Sequence, residues 1–171
     1  MATKYNAKRP VVTGNIAGRQ LKQVTAYTDG ACKKNPGRGG WGVLLQYGQH
    51  TKELCGGERD STNNRMEITA AIMAIKALKY PCELTIYVDS LYVKRGITEW
   101  IDGWRKRNWR NAKGDPIANA ELWQELDTLV HSGGHVIHWC WVRGHSGVAG
   151  NERADQLANR GMYELITGCG T

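Results

Sequence analysis

Two short runs in this chain carry nearly the same pattern, Thr25-Ala26-Tyr27-Thr28-Asp29 and Thr85-Ile86-Tyr87-Val88-Asp89. In the second, Leu84, Ile86 and Val88 alternate against Thr85, Tyr87 and Asp89, the period-two pattern of a half-buried strand. In the first, Thr25, Tyr27 and Asp29 share one face in the same way. Two such strands lying side by side and pointing the same way would bring both carboxylates out together at one edge, where α/β sheets commonly build sites. Adjacent carboxylates repel, so something must compensate them; two aspartates solvated separately is the alternative. Two further acids have suggestive neighbours. Glu67 shares a helix face with Ala70, Ala71, Ala74 and Leu78, small residues that permit close approach to a sheet. Its simpler reading is placement in a helix's first turn, worth about 0.5 kcal/mol. Asp155 borders the apolar stripe Ala154, Leu157 and Ala158, placed to reach a site, with a surface pairing to Arg160 as the alternative.

The elements that must hold these residues follow from the surrounding chain. The strongest helix is predicted over 62–80: Ser61, Thr62 or Asn63 can cap it, alanines are abundant, and Pro81 stops it. The strand over 84–89 follows at once, so strand, helix and strand form a crossover unit with parallel strands. Between the first strand and that helix, turn residues over 29–37 and strands over 41–47 and 51–58 imply an antiparallel meander. Gly37-x-Gly39-x-x-Gly42 has dinucleotide-fingerprint spacing but opens a strand rather than a helix, which excludes that reading. Downstream come short helical segments over 90–104, a helix near 119–131 and a strand over 135–142. The glycine-flanked loop Gly144-His145-Ser146-Gly147 then leads to a final helix from about Asn151.

With 171 residues, 41% of them hydrophobic, the chain suits one domain with a real core. Five scattered cysteines without paired or zinc-like spacing argue against a disulfide framework and for a reducing compartment. No apolar run has the length of a membrane span and no secretory signal is visible, so a soluble cytoplasmic protein is expected. The net charge of +7 is concentrated: seven Lys/Arg against Glu99 and Asp102 between Lys94 and Lys113 leave +5 there and +2 elsewhere. That concentration points to a polyanionic partner, nucleic acid first, against the alternative of a solvated basic face. Residues 1–21 hold Lys4, Lys8, Arg9 and Arg19 without an acid and read as a flexible basic arm. Residues 22–165 read as the folded domain, with 94–113 as a basic protrusion and 166–171 as a tail.

Taken in order, the segments Tyr27-Thr28-Asp29-Gly30, Asn35-Pro36-Gly37, Gly39-Gly40-Trp41-Gly42 and Thr62-Asn63-Asn64-Arg65-Met66-Glu67 resemble type 1 ribonuclease H of the bacterial kind. So do Tyr87-Val88-Asp89-Ser90, the stretch 100–109, Trp141-Val142-Arg143-Gly144-His145-Ser146-Gly147 and Asn151-Glu152-Arg153-Ala154-Asp155. The resemblance spans roughly residues 22–165. It implies an α/β single domain with a five-stranded mixed sheet, three antiparallel strands followed by two parallel to the first, and helices on both faces. It implies endonucleolytic hydrolysis of the RNA strand of RNA:DNA hybrids, leaving 5′-phosphate and 3′-hydroxyl ends.

By the same resemblance Asp29, Glu67, Asp89 and Asp155 are metal-binding catalytic carboxylates, and His145 is a loop histidine assisting proton transfer or product release. Oxygen-only ligands suit Mg²⁺, with Mn²⁺ as a substitute. Two ions about 4 Å apart can activate the attacking water and stabilise the leaving 3′ oxygen. Gly30, the main chain of Cys32, Asn35, Asn63 and Asn64 would line the minor groove and meet RNA 2′-hydroxyls. Thr62 and Arg65 would hold DNA-strand phosphate. The protrusion, through Trp100, Trp104, Arg105, Lys106, Arg107 and Trp109, would grip the DNA backbone. Leu91 replaces a glutamine common in relatives, and Lys33 and Arg38 make the first loop unusually basic. A monomer is expected. The rival readings are a non-catalytic hybrid-binding module, which four clustered carboxylates would oppose unless metals intervene, and a DNA nuclease of the same superfold.

Overall fold

The computed structural model describes residues 11–14, 21–144 and 147–165. Strands β1 (Val11–Gly14), β2 (Lys22–Cys32), β3 (Gly37–Tyr47), β4 (His50–Ser61), β5 (Cys82–Val88) and β6 (Val136–Trp141) form one sheet in the order β1-β6-β5-β2-β3-β4. β2, β3 and β4 make the antiparallel meander, and β5 and β6 run parallel to β2. The expected five-stranded mixed sheet is therefore present, and it carries a sixth strand. β1 comes from the segment expected to be a flexible arm and pairs antiparallel with β6. Its residues show no helical or alternating pattern of their own; the pairing is with the otherwise open edge of β6.

The helices are α1 (Asn63–Lys76), α2 (Leu91–Arg95), α3 (Ile101–Lys106), α4 (Ala120–Ser132) and α5 (Ala149–Glu164), with a π-helical turn over Gly96–Trp100 joining α2 to α3. Thr62 caps α1 by accepting a hydrogen bond from the Arg65 N–H at 3.1 Å. The helix expected to run to residue 80 closes at Lys76. Leu78 N–H donates to the Ile75 carbonyl, a tightened last turn, and Tyr80 precedes a proline, which disfavours helical backbone.

Helices cover both faces. The main core lies under α1, where Ile68, Ala71, Ile72 and Ile75 meet Val24, Ala26, Leu84, Ile86 and Ile137 of the sheet, with Trp123 and Leu126 of α4 completing it. On the other face α5 lies directly on β3. A Cβ at Gly42 would fall 2.3 Å from the Ala154 carbonyl oxygen, and one at Gly40 2.1 Å from that of Ala158. The glycine run that resembled a nucleotide fingerprint thus makes room for a helix.

Candidate active site

The two Thr-x-Tyr-x-Asp runs pair residue for residue: Thr25 lies opposite Thr85, Ala26 opposite Ile86 and Tyr27 opposite Tyr87. The two tyrosine rings stack at 5.0 Å with an interplanar angle of 12°. Asp29 and Asp89 each lie two residues beyond these tyrosines, on the same face. β2 does not end at Asp29, as the strand-end reading expected, because its pairing with β3 continues to Cys32 opposite Gly39. β5 does end at Val88. The Asp89 carbonyl accepts the Trp141 Nε1–H at 3.0 Å, and Ser90 Oγ accepts the Val93 N–H at 3.2 Å to cap α2. The backbone on both sides of the Asp89 side chain is therefore held.

Glu67 arrives from the opposite face of the sheet. A Cβ at Gly30 would lie 2.5 Å from the Glu67 nitrogen, so glycine there lets α1 come close enough for its carboxylate to reach Asp29. Glu67 is the fifth residue of α1, and no acid occupies the first turn, so a dipole contact does not account for it. One carboxylate oxygen from each of Asp29, Glu67 and Asp89 lies within 4.8 Å of the others. Asp155, delivered by α5 on the Asp29 face, is not one of that trio but is a neighbour of Asp29 that helps to raise its carboxyl. The Asn159 amide donates to its carbonyl at 2.9 Å.

Electrostatics match this crowding. Burial, then the charges of Asp89 and Asp155, push the Asp29 carboxyl from an ordinary 3.8 to about 8, although the Gly30 N–H at 2.9 Å favours the anion. Burial, Asp29 and Asp89 drive Glu67 well above the usual carboxylate range. Such a cluster retains protons until divalent cations replace them. The converging donors are all oxygens, the set that hard cations such as Mg²⁺ and Mn²⁺ prefer, so the residues fit a metal.

The other expected residues gather in two places. At the α1 start, Asn35 Oδ1 accepts the Asn63 N–H at 3.3 Å, tying the β2–β3 turn to the residue after the cap Thr62, while Asn63 and Asn64 are exposed. Gly30 and Cys32 lie on the adjoining end of β2, where the Cys32 thiol donates to the Lys34 carbonyl. Arg65 is drawn aside by ion pairs to Glu58 at 2.9 Å and Glu121 at 2.5 Å. In the protrusion, Trp100 and Trp104 join Tyr92 and Trp123 in an aromatic cluster, and Trp109 packs against the core. Arg105 is held by Asp102 and Asp127, both at 3.0 Å. Arg107 is exposed with its Nε donating to the Arg110 carbonyl, and Lys106 is exposed. His145 lies outside the described residues. Trp141, the anchor of the Asp89 carbonyl, had no assigned role from sequence; its position beside the second Asp run in a parallel pair was the available signal.

Three carboxylates converging as an oxygen-only donor set, in a chain that also carries a cationic helical segment, suit a metal-dependent nuclease. The RNase H family model matches residues 21–163. The chain is 62% identical over 146 residues to the ribonuclease H of Paracidovorax citrulli, covering 85% of this chain and 98% of that protein. It is 63% identical over 144 residues to the ribonuclease H of a Polaromonas strain, covering 84% and 91%. Among solved structures, LC9-RNase H1, described as a type 1 RNase H with the type 2 active-site motif, superposes with a TM-score of 0.78 at 32% identity, over 88% of this chain and 76% of that one. The chain belongs to the ribonuclease H family, type 1 and bacterial in kind, and is a metal-dependent endonuclease of the hydrolase class. No helix among the described residues is long and apolar enough to cross a membrane.

Proposed function

We propose that this enzyme cleaves the RNA strand of RNA:DNA hybrids at internal positions, leaving 5′-phosphate and 3′-hydroxyl ends, and that Mg²⁺ is its metal, with Mn²⁺ as a substitute. The observation that carries the reading is the convergence of Asp29, Glu67 and Asp89 within 4.8 Å from two parallel strands and a helix. Asp29, Glu67, Asp89 and Asp155 would hold two cations. Bound there, the cations supply activation of the attacking water and neutralisation of charge at the leaving oxygen.

The chain's own groups do the rest. Gly30 N–H orients Asp29, and Trp141 Nε1–H fixes the backbone that presents Asp89. His145 moves a proton, imidazole being the side chain suited to proton traffic at neutral pH. Gly30, Cys32, Asn35, Asn63 and Asn64, gathered around the α1 start, read 2′-hydroxyls, the groups that distinguish RNA from DNA. Thr62 and Arg65 contact DNA-strand phosphate, Arg65 by exchanging a partner carboxylate for it. Lys106 and Arg107 grip the DNA backbone. The tryptophans Trp100, Trp104 and Trp109 act by stiffening that segment, since their rings are committed to packing. The protein acts as a monomer, and in the cytoplasm, a location favoured by five scattered cysteines without paired spacing.

The test is incubation with Mg²⁺ and labelled RNA:DNA, RNA:RNA and DNA:DNA duplexes. Cleavage confined to the RNA strand of the hybrid is expected. Binding without cleavage would favour a hybrid-binding module, and cleavage of DNA a different nuclease.

A further inference from the structure

The β2–β3 turn carries a cationic patch at the carboxylate edge that the site described above leaves unused. Past Asp29, β2 continues to Cys32 opposite Gly39, and the Lys33 N–H donates to the Arg38 carbonyl at 2.9 Å to close the turn. Lys33 follows Asp29 by four residues of extended chain, so their Cα positions are roughly 13 Å apart. Side chains pin the turn at two points. The Cys32 thiol donates to the Lys34 carbonyl at 2.9 Å, and Asn35 Oδ1 accepts the Asn63 N–H at 3.3 Å. On the other side, the register between β3 and β4 shifts: Gly37 faces Ser61 and Gly39 faces Glu58, which leaves Arg59 and Asp60 opposite Arg38.

Lys33, Lys34, Arg38 and Arg59 are all exposed there, and Asp60 is the only acid in the segments 33–38 and 59–61. Several cations elsewhere are committed to carboxylates: Arg65 to Glu58 and Glu121, Lys76 to Glu125, Arg105 to Asp102 and Asp127, Arg153 to Glu53. Among the described residues, no carboxylate lies within ion-pair distance of the four cations at the turn. The turn itself does not need them. Its shape rests on Cys32, Asn35 and Gly37, where a Cβ would fall 2.5 Å from the Lys34 carbonyl oxygen. Four like charges on neighbouring segments repel one another, and a polyanion relieves that repulsion.

We propose that Lys33, Lys34 and Arg38, with Arg59 beside them, form a second phosphate-binding surface, distinct from the protrusion over 94–113. It engages the backbone of the hybrid alongside the groove read by Asn35, Asn63 and Asn64. This deepens the hybrid-nuclease reading above and rests on it. The patch adds affinity and salt sensitivity and takes no part in chemistry, because phosphates away from the reacting one are held equally in ground and transition states.

The test uses the full-length chain carrying Lys33→Ala, Lys34→Ala and Arg38→Ala together, assayed on hybrid at several salt concentrations. Unchanged kcat and a raised KM at low salt are expected. Each phosphate contact contributes about −0.9 to the slope of log affinity against log salt on B-form DNA. Two to three lost contacts should therefore shrink the variant-to-wild-type KM ratio by roughly 10- to 40-fold between about 50 and 200 mM salt. A charge-preserving triple, Lys33→Arg, Lys34→Arg and Arg38→Lys, should behave as wild type. A hybrid with a single uncharged methylphosphonate linkage, moved position by position, gives an independent readout: at least one position should weaken wild type and leave the alanine variant unaffected. Equal KM and salt slope in the alanine variant would overturn the inference. So would a loss confined to kcat, a loss shared by the charge-preserving triple, or neutral linkages that weaken both proteins alike at every position. A wild-type chain that leaves hybrid uncut would overturn the hybrid reading and this inference with it, so the two failures are told apart by the wild-type assay.

Discussion

Replacing Asp29 by Asn should stabilise the metal-free protein while abolishing its activity. The substitution keeps the side-chain shape and the acceptor for the Gly30 N–H, and removes an ionisable group from the crowded cluster. In the wild type Asp29 is raised from 3.8 to about 8 by burial, Asp89 and Asp155. A raised folded-state pKa means stability that is complete below about pH 4 and lost as pH rises through about 8. Near pH 7 the unfolded chain ionises this group and the folded one does not, over about three pH units. At 1.36 kcal/mol per unit that gives a ceiling of about 4 kcal/mol. The asparagine amide, if left without an acceptor, returns about 1–3 kcal/mol of that gain. A net gain of about 2 kcal/mol corresponds to roughly 4–8 °C in Tm for a chain of this size. Denaturant unfolding in a chelator at about pH 5.5, 7 and 8 measures it. Contributions common to both proteins, such as the lowered pKa of buried His135, cancel in the difference. The gap should widen with pH, by up to about 3 kcal/mol across that range. A variant less stable than wild type at neutral pH, or a gap that narrows as pH rises, would refute the reasoning.

Because Arg105 is already held by Asp102 and Asp127, the protrusion is best probed by Lys106→Ala with Arg107→Ala. KM should rise, kcat should hold, and the salt slope should flatten by roughly 2; an unchanged slope in steady-state assays would place these charges away from the nucleic acid. His145→Ala should lower turnover by roughly 100-fold or more without abolishing it, and should flatten the pH–rate profile near neutrality. Wild-type turnover across that range would show a surface residue. Gly42→Ala should destabilise the fold by about 1–3 kcal/mol, because its Cβ would meet backbone 2.3 Å away, and should lower activity by displacing α5 and Asp155. A wild-type melting temperature would contradict the close approach.

Much of the site was legible because the duplicated Thr-x-Tyr-x-Asp pattern encodes both strand and parity, and the crossover helix between the runs encodes their parallel pairing. The small residues around Glu67 likewise announced a helix face pressed to the sheet. What could not be read depends on partners distant in sequence. Arg65 is expected to hold phosphate, and the two acids that pair with its guanidinium in the free protein, one of them 56 residues away, could not be read from its neighbours. Trp100 and Trp104 could be read as part of a basic protrusion, but their packing partners Tyr92 and Trp123 could not. Trp141 shares parity with the buried Ile137 and Trp139, yet it is 38% exposed because β6 ends there beside the site. Four residues such as Val11-Val12-Thr13-Gly14 carry too little pattern to reveal a strand that pairs at the sheet margin with β6.

The same four residues bear on how the chain behaves in company. β6 reads Val-Ile-His-Trp-Cys-Trp, an apolar and aromatic segment that, as an open margin, would offer unpaired N–H and C=O groups to any passing strand. β1 takes up that margin with a short stretch of its own. The opposite margin, β4, is protected by composition: His50, Thr51, Lys52, Arg59 and Asp60 are exposed along it, and charged side chains discourage strand-to-strand association. The sheet is thus guarded against aggregation by two unlike devices. Trimming the chain back to Lys22 would remove one of them and leave the carboxylate cluster's own strands untouched, exchanging solubility for nothing in the chemistry.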